Sequence, residues 1–361
     1  MLNNNLFDDF QLGSIHLKNR AVMAPMTRCR AIGNIANELI AEYYAQRAGA
    51  GLIITEGTSP SPNGLGYARI PGIFSTEQIK GWKIVTDAVH KEGGKIFVQM
   101  MHTGRVGSKI NLPAGAKLLA PSAVTCSGQM WTDTQGMQEM DEPQAMSAEE
   151  IQTAIKEFAL AASNAIEAGF DGVELHAANG YLLEQFISPV SNVRTDAYGG
   201  SIENRCRFVI ETAIAVIKAI GAEKTGIRLS PYGVNSSMAP YPEIDDTYNY
   251  LAEQLNALQL TYIHLVDHSA MGAPVVPDSI KQSIRQKFNQ TLILSGGFDL
   301  NRANHDLEAG KADLIAFGRP FMNNPDLVNR MQSGFALNEK LDQSTFYAAG
   351  PEGYTDYQVY K

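Results

Sequence analysis

The residues 171–181 read Asp-Gly-Val-Glu-Leu-His-Ala-Ala-Asn-Gly-Tyr and bring His176, Asn179 and Tyr181 close together in the chain. An imidazole and an amide can donate hydrogen bonds to an oxygen, and a phenol can deliver a proton. The trio therefore has the chemistry to polarise a small molecule and protonate it. Side chains alternate along a strand, which puts Val173 and Leu175 on one face and Glu174 and His176 on the other. At the C-terminal end of a parallel barrel strand the inward polar residue lies at the mouth, where catalytic groups collect. A lone histidine is more often a core residue. Three convergent groups favour a site.

Arg228 sits between Ile227 and Leu229, so the same alternation turns its guanidinium inward. A buried arginine needs an anion, and its own strand has none. The charge comes either from a ligand, such as a phosphate, a carboxylate or a reduced flavin ring, or from Glu174 on a neighbouring strand. Gln99 shares an inward face with Phe97 and Met101. An amide there either reads a planar heterocycle or fills a polar core position. Ser295 is followed by Gly296 and Gly297, and Phe317 by Gly318 and Arg319. Barrels hold phosphates with backbone N–H groups after their last two strands, and Arg319 would add a charged fork, although glycine after a strand is also an ordinary turn residue.

These residues need elements to position them. Short β-rich apolar runs recur at 20–25, 51–56, 95–100, 172–176, 225–229, 262–266, 291–295 and 313–317. Helical spacing and capping chemistry lie between them at 36–48, 76–92, 147–168, 201–220, 245–258, 277–288, 300–309 and 324–333. Alternating strands and helices of this number predict an α/β fold, a (β/α)8 TIM barrel. Residues 6–17 read as a β-hairpin around Gly13 and Ser14 that plugs the bottom of the barrel. The connection 101–146, after the third strand, is too long for an ordinary loop and carries Trp131 and several Met. It predicts an excursion over the mouth that shapes substrate access.

A chain of 361 residues fits such a barrel as a single domain, 1–361. The net charge of −9 argues against sequence-independent binding to nucleic acid or to an anionic membrane, so the expected partner is a small molecule. Cys29, Cys126 and Cys206 are too few and too scattered for a disulfide framework or a cluster ligand set, which favours a reducing compartment. Residues 1–10 hold no apolar run of signal-peptide length, and no later segment reaches the length of a membrane span. The expectation is a cytoplasmic enzyme without a metal, its state as monomer or homo-oligomer left open.

Several segments taken together resemble the old yellow enzyme family of FMN-dependent ene-reductases. They are Ala24-Pro25-Met26-Thr27, Val98-Gln99 with His102-Thr103-Gly104-Arg105, His176 to Tyr181, Arg194 to Arg205, and Phe317-Gly318-Arg319. The resemblance runs from Leu6 to the end of the chain. It implies that Pro25, Met26, Thr27, Gly57, Gln99 and Arg228 line the flavin ring, and that Gly296, Gly297, Gly318 and Arg319 hold its phosphate. Tightly bound, non-covalent FMN would be reduced by NADPH or NADH. His176 and Asn179 would grip the oxygen of an activating carbonyl or nitro group, hydride would pass from flavin N5 to the β-carbon, and Tyr181 would protonate the α-carbon. Tyr67, Met101 and Tyr354 would border the substrate, an activated alkene or also a nitro compound or nitrate ester.

Thr27 stands where the thermophilic-like branch has cysteine, so the chain looks like the classical branch, that of the N-ethylmaleimide and pentaerythritol tetranitrate reductases. Asn179 replaces the second histidine of many bacterial members, and Met101 replaces a frequent tryptophan. The 194–205 stretch reads as ion pairing and capping that steadies the loop after the fourth strand. Competing readings are a non-catalytic flavin- or phenol-binding barrel and a flavin-free barrel enzyme acting on a phosphorylated substrate. No strand ends in a lysine suited to Schiff-base chemistry.

Overall fold

The computed structural model describes residues 5–360. The part of the N-terminal reading that rests on residues 1–4 lies outside them. Strands β1 (Phe10–Leu12) and β2 (Ile15–Leu17) form the expected antiparallel hairpin. Its turn residue Gly13 has φ +52°, and a Cβ there would stand 2.7 Å from the Glu223 carbonyl, so only glycine fits beneath the barrel floor.

The barrel strands are β3 (Ala21–Met23), β4 (Leu52–Thr58), β5 (Ile96–Met100) and, after an excursion, β10 (Gly172–Ala177), β11 (Thr225–Leu229), β12 (Tyr262–Val266), β13 (Thr291–Ser295) and β14 (Leu314–Phe317). All pair in parallel, in chain order, and β14 closes onto β3. The excursion contains β6 (Leu119–Ala120) paired with β9 (Gln144–Ala145) and the hairpin of β7 (Gln129–Thr132) with β8 (Gly136–Glu139). The helices are α1 (Glu38–Ala45), α2 (Thr76–Lys91), α3 (Ala148–Glu167), α4 (Leu182–Ile187), α5 (Ile202–Ile220), α6 (Ile244–Ala257), α7 (Asp278–Lys287), α8 (Leu300–Glu308), α9 (Arg319–Asn323) and α10 (Leu327–Ser333). The (β/α)8 expectation is thus borne out. Among the described residues no helix is long and apolar enough to cross a membrane.

Local chemistry explains the boundaries. Ser147 and Glu150 form a capping box at the start of α3, and Gly169, at φ +90°, ends that helical segment. The last helix begins at Leu327 rather than at 324, because Pro325 disfavours helical backbone at Asn324. Sequence periodicity missed α4 and α9, which are too short to display a helical period.

Alternation divides the core in two. Ile96, Val98, Val173, Leu175, Ile227 and Leu229 face outward into the layer shared with the helices. Val22, Ile54, Phe97, Tyr262, Ile293 and Leu314 fill the interior together with Leu12 and Leu17 of the hairpin plug. Strand register then ranks the inward polar residues. Glu174 lies beside Gln99 and Gly226, and one layer higher His176 lies beside Arg228, itself level with His264.

Gly226 is the small member of this packing, since a Cβ there would meet the Tyr262 ring at 2.2–2.4 Å. Gly226→Ala is expected to destabilise the protein by about 1–3 kcal/mol in denaturant unfolding through overpacking, and Tyr262→Leu in the same chain should recover part of the loss. Equal stability of Gly226→Ala and the parent chain would contradict this packing.

Candidate active site

Two adjoining cavities open at the C-terminal ends of the barrel strands. The larger, about 430 Å³, runs from Ala24, Pro25, Met26, Thr27 and Arg228 past Asp267 and His268 to Gly296, Gly297, Gly318 and Arg319. The smaller, about 170 Å³, is lined by Pro25, Thr27, Tyr67, Gln99, Met101, His176, Asn179, Tyr181, Arg228 and Tyr347. A third cavity of about 340 Å³ lies on the barrel flank between α7 and α8. Its charges are already matched, Lys281 with Asp267, Arg285 with Asp313 and Lys311 with Asp306, so it offers no unmet chemistry.

The 24–28 segment is pinned at both ends. The Ala24 amide donates to the Phe317 carbonyl and the Arg28 amide to Glu56 Oε2, which sets Thr27 on the wall common to both cavities. The turn after β10 is held more tightly. Asn179 takes φ +59°, a left-handed conformation that asparagine tolerates better than most residues. Its amide N–H donates to Ser230 Oγ at 2.9 Å, and its carbonyl accepts from Ser236 Oγ at 3.0 Å. Glu184 of α4 gathers the same turn, accepting from the Gly180 amide at 2.6 Å, Ser230 Oγ at 2.7 Å and the Tyr248 hydroxyl at 2.9 Å. Ser188 to Arg205 braces it from outside. Arg205 donates to the Ile187 carbonyl and pairs with Glu243, and Arg194 pairs with Asp196.

His176, Asn179 and Tyr181 come together as their spacing implied. The His176 and Tyr181 rings meet edge to face at 4.9 Å, and the Tyr181 hydroxyl shares a 3.0 Å hydrogen bond with that of Tyr67. Burial, with Arg228, His264 and His268 nearby, holds the His176 imidazole well below its ordinary pKa, so the ring is neutral and can act as a hydrogen-bond donor through one N–H. Burial pushes the Tyr181 phenol up to about 12, which keeps its proton in place through the neutral range. Cys29 is buried and likewise pushed up to about 12, an inert thiol.

Arg228 is the site's unmet charge. The two oxygens of Glu174 go to Gln99 Nε2 at 2.8 Å and His264 Nδ1 at 2.9 Å, and Arg228 Nε is buried without a partner. A buried guanidinium between the two cavities thus faces space with room for an anionic or electron-rich ring. Gln99, its amide nitrogen anchored on Glu174, keeps its carbonyl oxygen and a second N–H for a ligand. At the far end of the larger cavity Gly297 has φ +62°, and a Cβ on Gly318 would meet only Met26 Sδ, at 3.6 Å, leaving backbone within reach of a ligand beside Arg319. A flat ring on Arg228 and Gln99 with a phosphate at the glycines fits this donor set.

The sequence profile of the NADH:flavin oxidoreductase / NADH oxidase family matches residues 5–338. The chain is 42% identical to 12-oxophytodienoate reductase 1 of Oryza sativa subsp. japonica, over 98% of this chain and 92% of that one. It superposes on morphinone reductase in complex with tetrahydroNAD with a TM-score of 0.94 at 41% identity, covering 99% of this chain and 98% of the other. The old yellow enzyme homologue from Zymomonas mobilis gives 0.94 at 38% identity, covering 99% and 100%. The chain belongs to the old yellow enzyme family. It is an oxidoreductase of that flavin-dependent family.

Against the family resemblance, two assignments move. Tyr354 does not border the cavity. It is fully buried, stacked on Tyr43 at 3.9 Å with the Arg30 guanidinium 4.4 Å from its ring, because the C-terminal segment turns it into the α1 side of the core. Tyr347 reaches both cavities instead, its carbonyl held by Arg69 Nη2 at 2.9 Å. Gly57 stands behind Met101, whose Sδ would lie 2.4 Å from a Cβ there, and makes room for that side chain rather than lining the wall. Sequence reasoning also passed over Glu184, Ser230 and His268. Ser230 and His268 had a usable signal, since each closely follows a barrel strand at its C-terminal end.

Burial pushes the carboxyls of Glu184 and Glu56, which hold the two site loops, up to about 7. A raised carboxyl pKa means that the folded state binds its proton more tightly than the unfolded chain. The stabilisation is therefore full below about 4.5 and lost as pH rises through about 7. Unfolding free energy measured against pH should fall across this window, and Glu184→Gln should remove about 1.4 kcal/mol per pH unit of that slope. A slope unaffected by the substitution would show that Glu184 ionises as it does in the unfolded chain.

Proposed function

We propose that this chain is an FMN-dependent, NAD(P)H-consuming reductase of alkenes activated by a carbonyl or nitro group. One observation carries the reading: the buried, unpartnered Arg228 guanidinium sits where a long cavity ending in glycines meets a small one lined by His176, Asn179 and Tyr181. Pro25, Met26, Thr27, Gln99 and Arg228 would hold the flavin ring, and Gly296, Gly297, Gly318 and Arg319 its phosphate. Bound there, FMN would supply a hydride for the β-carbon of the alkene; the family name supports a flavin, and the tetrahydroNAD complex of morphinone reductase supports a nicotinamide as its reductant.

The remaining work falls to side chains. Arg228 offers positive charge where electron density collects on the reduced ring. His176 and Asn179 each point a donor at the substrate oxygen and draw electron density away from the double bond. Tyr181 protonates the α-carbon, and its bond to Tyr67 orients the hydroxyl. Enones, maleimides, nitroalkenes and nitrate esters all present the oxygen that this clamp requires.

The purified protein should show a yellow flavin band that bleaches on anaerobic addition of NADPH or NADH and returns on addition of 2-cyclohexenone. A colourless protein that takes up no added FMN would sink the reading. Tyr181→Phe should slow reoxidation by the enone by about 10²-fold or more while leaving reduction by the nucleotide nearly intact. Equal losses in both half-reactions would contradict a proton-donor role. Met101 is buried against Gly57, so extra bulk there must grow into the smaller cavity. Met101→Trp should lower kcat/KM for bulky cyclic enones about tenfold more than for 2-cyclohexenone, a selectivity of ~1.4 kcal/mol.

A further inference from the structure

The loop after β12 carries His268 into the wall of the larger cavity, where His268 Nε2 stands 2.8 Å from Asn179 Oδ1. Asn235 Nδ2, from the loop after β11, approaches the same oxygen at 3.5 Å. We infer that His268 is a positioning residue: it fixes the Asn179 amide so that the NH2 group, not the oxygen, meets the substrate. This inference rests on the oxygen-clamp role of Asn179 in the proposed function.

An unrestrained asparagine amide can present either end. Its oxygen set against a substrate carbonyl would repel it, whereas its NH2 donates. The Asn179 backbone is held through its N–H by Ser230 and through its carbonyl by Ser236, which leaves rotation of the side-chain amide to be fixed. His268 is itself held. The preceding Asp267 accepts from the Ser269 amide and from Lys281 Nζ, each at 2.9 Å, and this ties the loop to α7. Burial, with Arg228 adding to it, pushes the His268 pKa down to about 4, so near neutral pH the ring is uncharged and has a single N–H to give. Given to Oδ1, that proton leaves Asn179 Nδ2 free for the ligand. Three loops, after β10, β11 and β12, thus converge on one amide.

The test uses FMN-loaded protein and two readouts: the affinity for 4-chlorophenol, followed by the change in the flavin absorbance, and the steady-state constants for 2-cyclohexenone. Compared per bound FMN, because His268 also lines the larger cavity, His268→Leu should weaken phenol binding about tenfold and raise KM for the enone by a similar factor, while His268→Gln, which keeps a donor, should restore affinity to within about threefold. In an Asn179→Ala background His268→Leu should add nothing, because its effect passes through that amide. Phenol affinity within about twofold of the parent in His268→Leu, or losses that add in the double variant, would overturn the assignment. Undiminished phenol affinity in Asn179→Ala alone would mark the clamp reading itself as wrong, and the role of His268 would fall with it.

Discussion

The mouth of this barrel hangs from the carboxyl group of Glu174. It lies fully buried inside the barrel, and its two oxygens are taken by side chains from the adjacent strand β5 and from β12, two strands away on the other side. Gln99 donates from one side. His264 donates from the other and reaches on to Ser295 Oγ at 3.0 Å. A polar group in such a place is tolerated only when fully satisfied, so the network fixes four strands relative to one another at the level just below the site. It also leaves Arg228, one layer higher, with a carboxyl group close enough to favour its charge but without a bond to neutralise it.

Above the layer of His176 and Arg228 the site is made of loops, and the structure restrains them by hydrogen bonds to backbone atoms. Glu56 holds the turn bearing Thr27, and Glu184 holds the turn bearing Asn179. The excursion after β5 is tied down by Arg105, which donates to the Val124 carbonyl at 3.3 Å and to the carbonyls of Ser236 and Ser237. The irregular C-terminal segment that delivers Tyr347 is gripped by Arg28, Arg30 and Arg47, whose guanidinium groups donate mostly to main-chain carbonyls. Arginine suits this task because its rigid fork serves several acceptors at once and keeps its charge when buried. Loops secured in this way can line a catalytic cavity without elements of their own.

Much of this was legible beforehand because a parallel barrel imposes simple rules. The β-rich apolar runs gave the strands, two-residue alternation sent Gln99, Glu174, His176 and Arg228 inward, and capping residues such as Ser147 marked helix starts. The misplacement of Tyr354 has an equally plain cause. Residues 334–360 carry only one short helical turn, so no period distinguishes an aromatic ring that faces the cavity from one that faces the core. Glu184 escaped notice because its role depends on Ser230 and Tyr248, contributed from beyond β11 and from α6, and separations of 46 and 64 residues leave no local trace.

What the amino-acid sequence determined by itself was the order and type of the strands, the inward or outward sense of each residue on them, and the closeness of His176, Asn179 and Tyr181, because backbone geometry links neighbours in the chain to fixed directions in space. What only the tertiary structure decided was how those directions meet. It settled that Glu174 bonds to Gln99 and His264 rather than to Arg228, that Tyr347 rather than Tyr354 reaches the cavity, and that His268 faces Asn179. Those outcomes depend on barrel closure and on long-range competition among buried donors for a few acceptors, and that competition is resolved only when all the strands are in place.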